Sequence, residues 1–462
     1  MFKKIEIWIL YLSILLSFLF IFCFGVLVRF EIEGITKLGN INISFLSKPA
    51  AYITRLPEKF VRKVFNSDLI VNDSWKEDRY FFEQDGFNGA PNAKESYLLL
   101  SRYDGNLQEG IIELIDLTNF EIMHTWNPDI DALNDLVEKN AEFKYLERDN
   151  NNQRQILRHP KLTKDGGLLF HSGPLRKIDS CSNLVFQNTQ DIFHHSIETD
   201  IHGNIWVPSY LYPSSLPFEK VGRNNINDKG FVDDGIVKLS PDGKILYKKS
   251  VAQIFIENDL EYLLFSVGDR KFDFDPIHLN DIQPVNKDGE FWKKGDVFLS
   301  LRHQSMIVLY RPLTNKIVWK GTGPFAHQHD VNILNDHTIS VFNNNSKDFI
   351  IGDVVDGNNE VIIYNFKLNE YSSYHKDSLI NNDVRTITEG RSHILSNGDL
   401  FIDENNYART LYFNSDGSLR WTYVNSADDG NIYLNGLSRI LYTQDDIQNV
   451  NKFLNSKTFC NE

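Results

Sequence analysis

Leu239-Ser240-Pro241-Asp242-Gly243-Lys244-Ile245-Leu246-Tyr247 sets an Asp-Gly pair between alternating apolar residues. Glycine takes a positive φ at no steric cost, so such a pair between strand-like runs signals a hairpin. The same build recurs at Leu162-Thr163-Lys164-Asp165-Gly166-Gly167-Leu168, at Thr199-Asp200-Ile201-His202-Gly203-Asn204-Ile205, at Leu395-Ser396-Asn397-Gly398-Asp399-Leu400 and at Phe413-Asn414-Ser415-Asp416-Gly417-Ser418-Leu419. A second piece recurs as well. Asp116-Leu117-Thr118-Asn119-Phe120-Glu121-Ile122 leads to Trp126, and Tyr310-Arg311-Pro312-Leu313-Thr314-Asn315-Lys316-Ile317 leads to Trp319. Repeats this long, each holding several short strands, point to the blades of an all-β propeller. Inner strands are expected near Tyr97, His159, His195, His278, His329 and Ser392, which makes six blades. The segments 213–234 and 255–274 have no clear copies and leave that count open by one. A stacked β-solenoid fits less well, because its repeats are shorter and more uniform.

Composition agrees with a large β body. The chain has 462 residues, 42% hydrophobic and 13% aromatic, enough for an extensive core. Thirty-three Phe and 19 Tyr against three Met favour strands. The formal net charge of −14 argues against a nucleic-acid partner, which wants a basic face. It leaves an anionic small substrate open, since a pocket sets its own potential. Of the cysteines, Cys23 lies in an apolar run, and Cys181 and Cys460 are either a disulfide or free thiols. Their spacing fits neither a thiol active site nor a zinc site.

The N-terminus is of a different kind. After a short tail, 1–6, with Lys3 and Lys4, residues 7–28 carry no charge. A bilayer core needs about 20 apolar residues in a helix, so this run can span. It ends in Phe24-Gly25-Val26-Leu27-Val28-Arg29, without a small-residue cleavage site, so an uncleaved transmembrane anchor is expected. Lys3 and Lys4 favour an inside N-terminus, although Arg29 and Lys37 dilute the bias. The propeller would then sit on the periplasmic or other exterior side. Residues 29–93 read as a short stem. Within it, 52–65 fit an amphipathic helix with a basic face and Pro57 in its first turn, lying on the membrane surface or packed on the body. The propeller is expected over 94–462.

Four segments carry the chemistry: His194-His195-Ser196-Ile197, His278-Leu279-Asn280-Asp281-Ile282, Arg302-His303-Gln304 and Ala326-His327-Gln328-His329-Asp330-Val331. A lone histidine often just pins a loop. In a propeller, however, the starts of the innermost strands face one channel, so residues far apart in sequence meet there. Aligned on the following hydrophobic pair, His195 sits two before Ile197, Asn280 two before Ile282 and His329 two before Val331. His278 is a turn away, and Arg302 ends the strand 297–301. Asp281 and Asp330 are expected to face elsewhere, so no carboxylate pair for glycoside hydrolysis is present. Three histidines suit zinc, but Arg302 beside them would repel a cation. Arginine instead offers a fork of donors to oxyanions, while imidazoles can attack or carry protons.

In this order, the four segments resemble the motif segments of the bacterial aryl sulfotransferases, over roughly residues 95–442. That resemblance implies a six-bladed propeller that moves a sulfuryl group from an aryl sulfate donor to a phenolic acceptor. It implies a ping-pong mechanism through a sulfohistidine, with no cofactor and no metal. Carried over residue by residue, His329 would be the nucleophile. His195, His278 and Arg302 would hold the sulfuryl oxygens, with Asn280 in support, and His194 and His327 would line the substrate site. His327 competes with His329 for the role of nucleophile, and the register shared with His195 favours His329. Two features depart from the family pattern: Ser196 stands where an acidic residue is common, and the chain looks anchored. The lack of a glycine-rich phosphate loop agrees with a donor that is not a nucleotide. A tethered, non-catalytic binding module and a metal-dependent propeller hydrolase remain the alternatives, and a homodimer is left open.

Overall fold

The computed structural model describes residues 7–32, 37–38, 41–43, 45–50, 53–54, 69–71, 84–138, 140, 142–143, 146, 150–221, 230–266, 272–350 and 352–455. The chain divides into two compact units, Met1–Asp68 and Leu69–Glu462. In the first, a helix covers Ile7–Ile32, and its stretch Ile7–Phe30 is long and apolar enough to cross a membrane. Trp8, Phe18 and Phe20 are exposed along it, as lipid-facing side chains would be. The Ser17 hydroxyl donates to the Ser13 carbonyl at 2.8 Å, which returns a polar group to the helix itself. Cys23 is a free, exposed thiol. The tail 1–6, the amphipathic helix expected over 52–65 (apart from Ile53 and Thr54) and Cys460 lie outside the described residues.

The second unit is a propeller-like, all-β arrangement of antiparallel sheets. One sheet runs Leu279–Pro284, Val297–Leu301, Met306–Arg311, Lys316–Gly321. The next runs His329–Ile333, Thr338–Asn343, Glu360–Asn365, Glu370–Tyr374. A third runs Arg391–Ile394, Leu400–Glu404, Arg409–Phe413, Leu419–Val424, with Gly86–Gly89 added at its outer edge. A fourth runs Arg439–Leu441, Tyr97–Asp104, Glu109–Asp116, Glu121–Trp126. Between them in sequence, Arg158–Leu162 to Ile245–Ser250 make one eight-stranded sheet. Its two halves touch where Ile192 pairs with Tyr210 and Phe193 with Ser209.

The strand from Tyr97, expected to be innermost, is second in its sheet. Arg439–Leu441 takes the inner place, with Leu441 opposite Tyr97. The last described strand of the body thus closes onto one from near its start.

Burial explains the strand patterns. Val297–Leu301 is buried throughout, because a middle strand is covered on both faces. Lys316–Gly321, at an outer edge, alternates between exposed and half-buried positions. Core clusters fill the gaps between sheets, as where Ile236, Ile282, Leu299 and Val308 meet. Each such side chain contributes about 1.5–3 kcal/mol by leaving water. The Asp-Gly copies sort into two places. Gly166, Gly203 and Gly398 turn the first strand of a four-strand meander into the second, whereas Gly243 and Gly417 turn the third into the fourth. All five have positive φ, from 77° to 88°.

Side-chain latches tie neighbouring inner strands. The Ile282 N–H donates to Ser196 Oγ at 3.1 Å, the Val331 N–H to Asp281 Oδ2 at 2.8 Å and the Ser392 N–H to Asp330 Oδ2 at 3.0 Å. Ser196, the departure noted in the sequence, therefore does the work of a latch. Behind the latches lies a buried ionic network. Glu198 receives Arg391 Nη2 at 2.9 Å, Arg439 Nη2 at 2.7 Å and Lys161 Nζ at 3.2 Å. Arg391 Nε also donates to Asp330 Oδ1 at 2.9 Å. Burial, with the charges of Asp330 and Glu198, pushes Asp281 up to about 7. Inner strands from six stretches of the chain, carrying Lys161, Glu198, Asp281, Asp330, Arg391 and Arg439, therefore converge. On this side of the network a cavity of about 440 Å³ is lined by Lys161, Arg439, His393 and Tyr442.

Candidate active site

His195, His278 and His327 stand at the mouths of three inner strands with φ of 55°, 50° and 53°. Histidine is among the few side chains that enter this left-handed region with some frequency. The rings gather there. His195 and His278 have centroids 5.1 Å apart, and His195 and His329 6.2 Å. His278 lies 4.4 Å from His303, and His303 lies 6.0 Å from His327. His194 stands behind His195, buried, its Nδ1 2.6 Å from His195 Nδ1, and it stacks on Tyr210 at 3.9 Å. Arg302 joins from the end of Val297–Leu301. Its Nη1 donates to His303 Nε2 at 2.7 Å, and its backbone N–H donates to the His278 carbonyl at 3.0 Å. Asn280 is linked differently: its amide donates to the Gln328 carbonyl at 2.8 Å, one residue before His329.

The protonation of His329 follows from its neighbour. Its Nδ1 is 2.7 Å from Asn344 Oδ1. The Asn344 NH2 donates to the carbonyls of Thr386 at 3.1 Å and Glu389 at 2.7 Å, so its oxygen must face the ring. His329 therefore carries its proton on Nδ1 and a lone pair on Nε2. Burial lowers its pKa to about 3, helped by the positive charge of Arg302, against the Asn344 hydrogen bond. Burial likewise holds His194 down at about 3, His327 at about 4 and His195 well below its ordinary value. His194, His195, His327 and His329 are thus neutral imidazoles beside the Arg302 guanidinium.

Asp275 organises the opposite side. Its Oδ2 accepts from His278 Nδ1 at 2.7 Å and lies 3.5 Å from His303 Nδ1, which donates to the Asp275 carbonyl at 2.5 Å. Burial raises the Asp275 carboxyl, but the hydrogen bond and charge of His278 outweigh it, and the net shift is downward. The ligand atoms of Asp275, His278 and His303 lie within 4.8 Å of one another, close enough to hold a cation. Each is already hydrogen-bonded, and the Arg302 guanidinium on His303 opposes a second positive charge.

The sequence pattern does not single out Asp275 or Asn344, and it gives His303 no role of its own. Asp275 precedes His278 by one turn and His303 follows Arg302, so both lay beside a motif. Asn344 stands in a run of three asparagines just after Thr338–Asn343, a polar end to an apolar strand. The carboxylates of Asp281 and Asp330 go to the latches, and Asp330 also to Arg391.

The family model described as Arylsulfotransferase (ASST) matches residues 160–426, more than half of the chain. No curated protein matches. Among solved structures, the chain is similar to a protein of unknown function from Bacteroides caccae, at 12% identity and a TM-score of 0.44, over 75% of this chain and 99% of that one. It is also similar to the WD40 β-propeller domain of Doa1, at 9% identity and 0.37, over 78% and 94%. A third is virginiamycin B lyase from Staphylococcus aureus, at 11% identity and 0.34, over 72% and 86%.

Proposed function

The chain belongs to the arylsulfotransferase (ASST) family, and from that premise we propose that it moves a sulfuryl group from an aryl sulfate ester to a phenolic acceptor. The observation that carries this reading is His329: neutral, with its Nε2 lone pair fixed by Asn344, among His195, His278 and Arg302. His329 Nε2 attacks sulfur and the aryl S–O bond breaks. By analogy with phosphoryl transfer the transition state is loose, so catalysis rests on positioning and on donors aimed at the oxygens. Arg302, His195 and His278 supply those donors. Asn344 accepts from Nδ1–H as His329 becomes an N-sulfo imidazolium. An acceptor phenol then enters the same mouth, gives up its proton and takes the sulfuryl group. Both half-reactions use one site, so the kinetics are ping-pong. Asn280 holds the backbone beside the nucleophile, and His194 and His327 flank the substrate.

Counting the eight-stranded sheet as two blades gives a six-bladed propeller, a count supported by the six strands that converge on Glu198 and Asp330. The helix Ile7–Ile32 anchors this body in a membrane, with the site on the exterior face.

The test is to incubate the full chain in detergent with 4-nitrophenyl sulfate and phenol, with and without chelator. Nitrophenol release should depend on phenol and ignore chelator. No release at all favours the tethered binding module, and release that does not depend on phenol means that water is the acceptor. Release abolished by chelator favours metal-dependent hydrolysis at Asp275, His278 and His303.

A further inference from the structure

Behind His195 lies a line of polar atoms that leads away from substrate into the core. Asp234, the first residue of the strand Asp234–Leu239, is fully buried. Its Oδ2 accepts the Leu279 N–H at 3.0 Å. Its Oδ1 has no hydrogen-bond partner among the described residues, and neither has His194 Nε2, yet the two lie 3.4 Å apart. The other nitrogen of His194 meets His195 Nδ1 at 2.6 Å. His195 is the less buried of the two rings, and only its Nε2 is left to serve the site.

We propose that Asp234, His194 and His195 form a proton relay that supplies the leaving phenolate and takes back the proton of the acceptor phenol; this rests on the sulfotransferase reading above. The resting arrangement follows from the bonds. Asp234 holds a proton on Oδ1, because Oδ2 already accepts. That O–H faces His194 Nε2, so His194 carries its proton on Nδ1 and gives it to His195 Nδ1. His195 must then hold its own proton on Nε2. In the donor half-reaction the S–O(aryl) bond breaks and an N–S bond forms on His329. The departing oxygen takes the proton from His195 Nε2. His195 Nδ1 takes the proton from His194 Nδ1, and His194 Nε2 takes the one from Asp234.

The products are a neutral phenol, a zwitterionic N-sulfo imidazolium and a carboxylate at Asp234. The single negative charge that arrived on the aryl sulfate is thus parked in the core. The second half-reaction reverses every step. The Oδ1 to Nε2 gap must close by about 0.5 Å for transfer.

The surroundings suit a group that changes charge. Burial and the charge of Asp275 raise the Asp234 carboxyl well above the usual range, and His278 partly offsets them. Asp233 adds to the rise, and Tyr210 stacks on His194 beside it. The Ser209 carbonyl is the competing acceptor for the His194 ring. Were it to capture the Nε2 proton, His195 would present a lone pair instead and the relay would be broken.

Asp234→Asn tests this with little change of shape. The asparagine oxygen can accept from Leu279 N–H, and its NH2 can face His194, but it has no proton to release. The readout is the donor half-reaction with 4-nitrophenyl sulfate, whose phenolate needs little protonation, and with phenyl sulfate, whose phenolate needs much. The ratio of the two rates should grow about a hundredfold over the unmodified protein, the usual worth of a general acid. Equal losses with both donors would mean a structural role, and no loss would mean that the relay is idle; either overturns the proposal. Infrared spectroscopy gives a second readout. The unmodified protein at neutral pH should show a buried protonated carboxyl stretch that Asp234→Asn removes. Identical spectra would show Asp234 ionised and the relay wrong. If the unmodified protein transfers from neither donor, the sulfotransferase reading itself fails, and this is seen before any variant is compared.

Discussion

Arg302 is the one guanidinium among the clustered rings, and its Nε has no hydrogen-bond partner among the described residues. Arg302→Lys keeps the charge but loses the planar pair of donors. Loss of one donor aimed at the transition state costs about 3 kcal/mol, on the order of a hundredfold in rate. We expect a folded protein with that loss in kcat/KM, and near-normal turnover would place Arg302 outside the site. His329 gives a pH prediction. An ordinary imidazole loses its lone pair below its pKa of about 6.5. His329, lowered to about 3, stays neutral well below that. The donor half-reaction should therefore remain level from pH 7 down to about 5. A fall with a midpoint near 6.5 would mean that the nucleophile is an ordinary, solvated imidazole. Sequence showed which residue types were present, but not Asn344, whose part depends on where the Thr386 and Glu389 carbonyls lie in space.

The strand mouths show both the reach and the limit of pattern reading. The five repeated turn segments, three with Asp-Gly, one with Asn-Gly and one with Asp-Ile-His-Gly, announce hairpins through a purely local rule, and all five fall between paired strands. Register is not local. Alignment on hydrophobic pairs sets His195 level with His329, whereas the left-handed residues set His195 level with His278 and His327. The difference is a bulge: Asp330 has φ 49°, and the pairing shifts between His329 and Val331. The latches make a stability prediction at this scale. Asp330→Ala would strip Arg391 Nε and the Ser392 N–H of their buried acceptor and leave Arg391 with Glu198 alone, a loss of about 3 kcal/mol. Ser196→Ala removes one neutral bond to Ile282 and should cost about 1 kcal/mol. Urea unfolding of both variants checks the order, and equal losses would remove the carboxylate latch from the account.

At the level of the molecule, closure depends on partners at opposite ends of the body, which no periodicity reveals. Arg439–Leu441 covers the inner edge of Tyr97–Asp104, and Arg439 also meets Glu198. The buried histidines couple this fold to pH. His171 and His194 lie at about 3 and His393 at about 4, each lowered by burial. With folded values below the unfolded one, the unfolded chain binds more protons below about pH 6.5. Stability is therefore full above that value and is lost as pH falls toward 3, by up to about 1.4 kcal/mol per unit for each ring. Asp191 and Asp234, both raised, and Asp281 and Asp403, raised to about 7, work in the opposite sense, but the lowered histidines outnumber them. The Tm should fall on acidification from pH 6.5 to 5, and a Tm that rises over that range would contradict the neutral cluster.

The central claim is that His329 carries the sulfuryl group between donor and acceptor. The direct measurement is to treat the full chain with 4-nitrophenyl sulfate alone, digest it at neutral pH and weigh the peptides. A peptide containing His329, heavier by one sulfuryl group and restored by added phenol, is the expected result. An adduct on His327 or His195, or none while transfer to phenol proceeds, would contradict it.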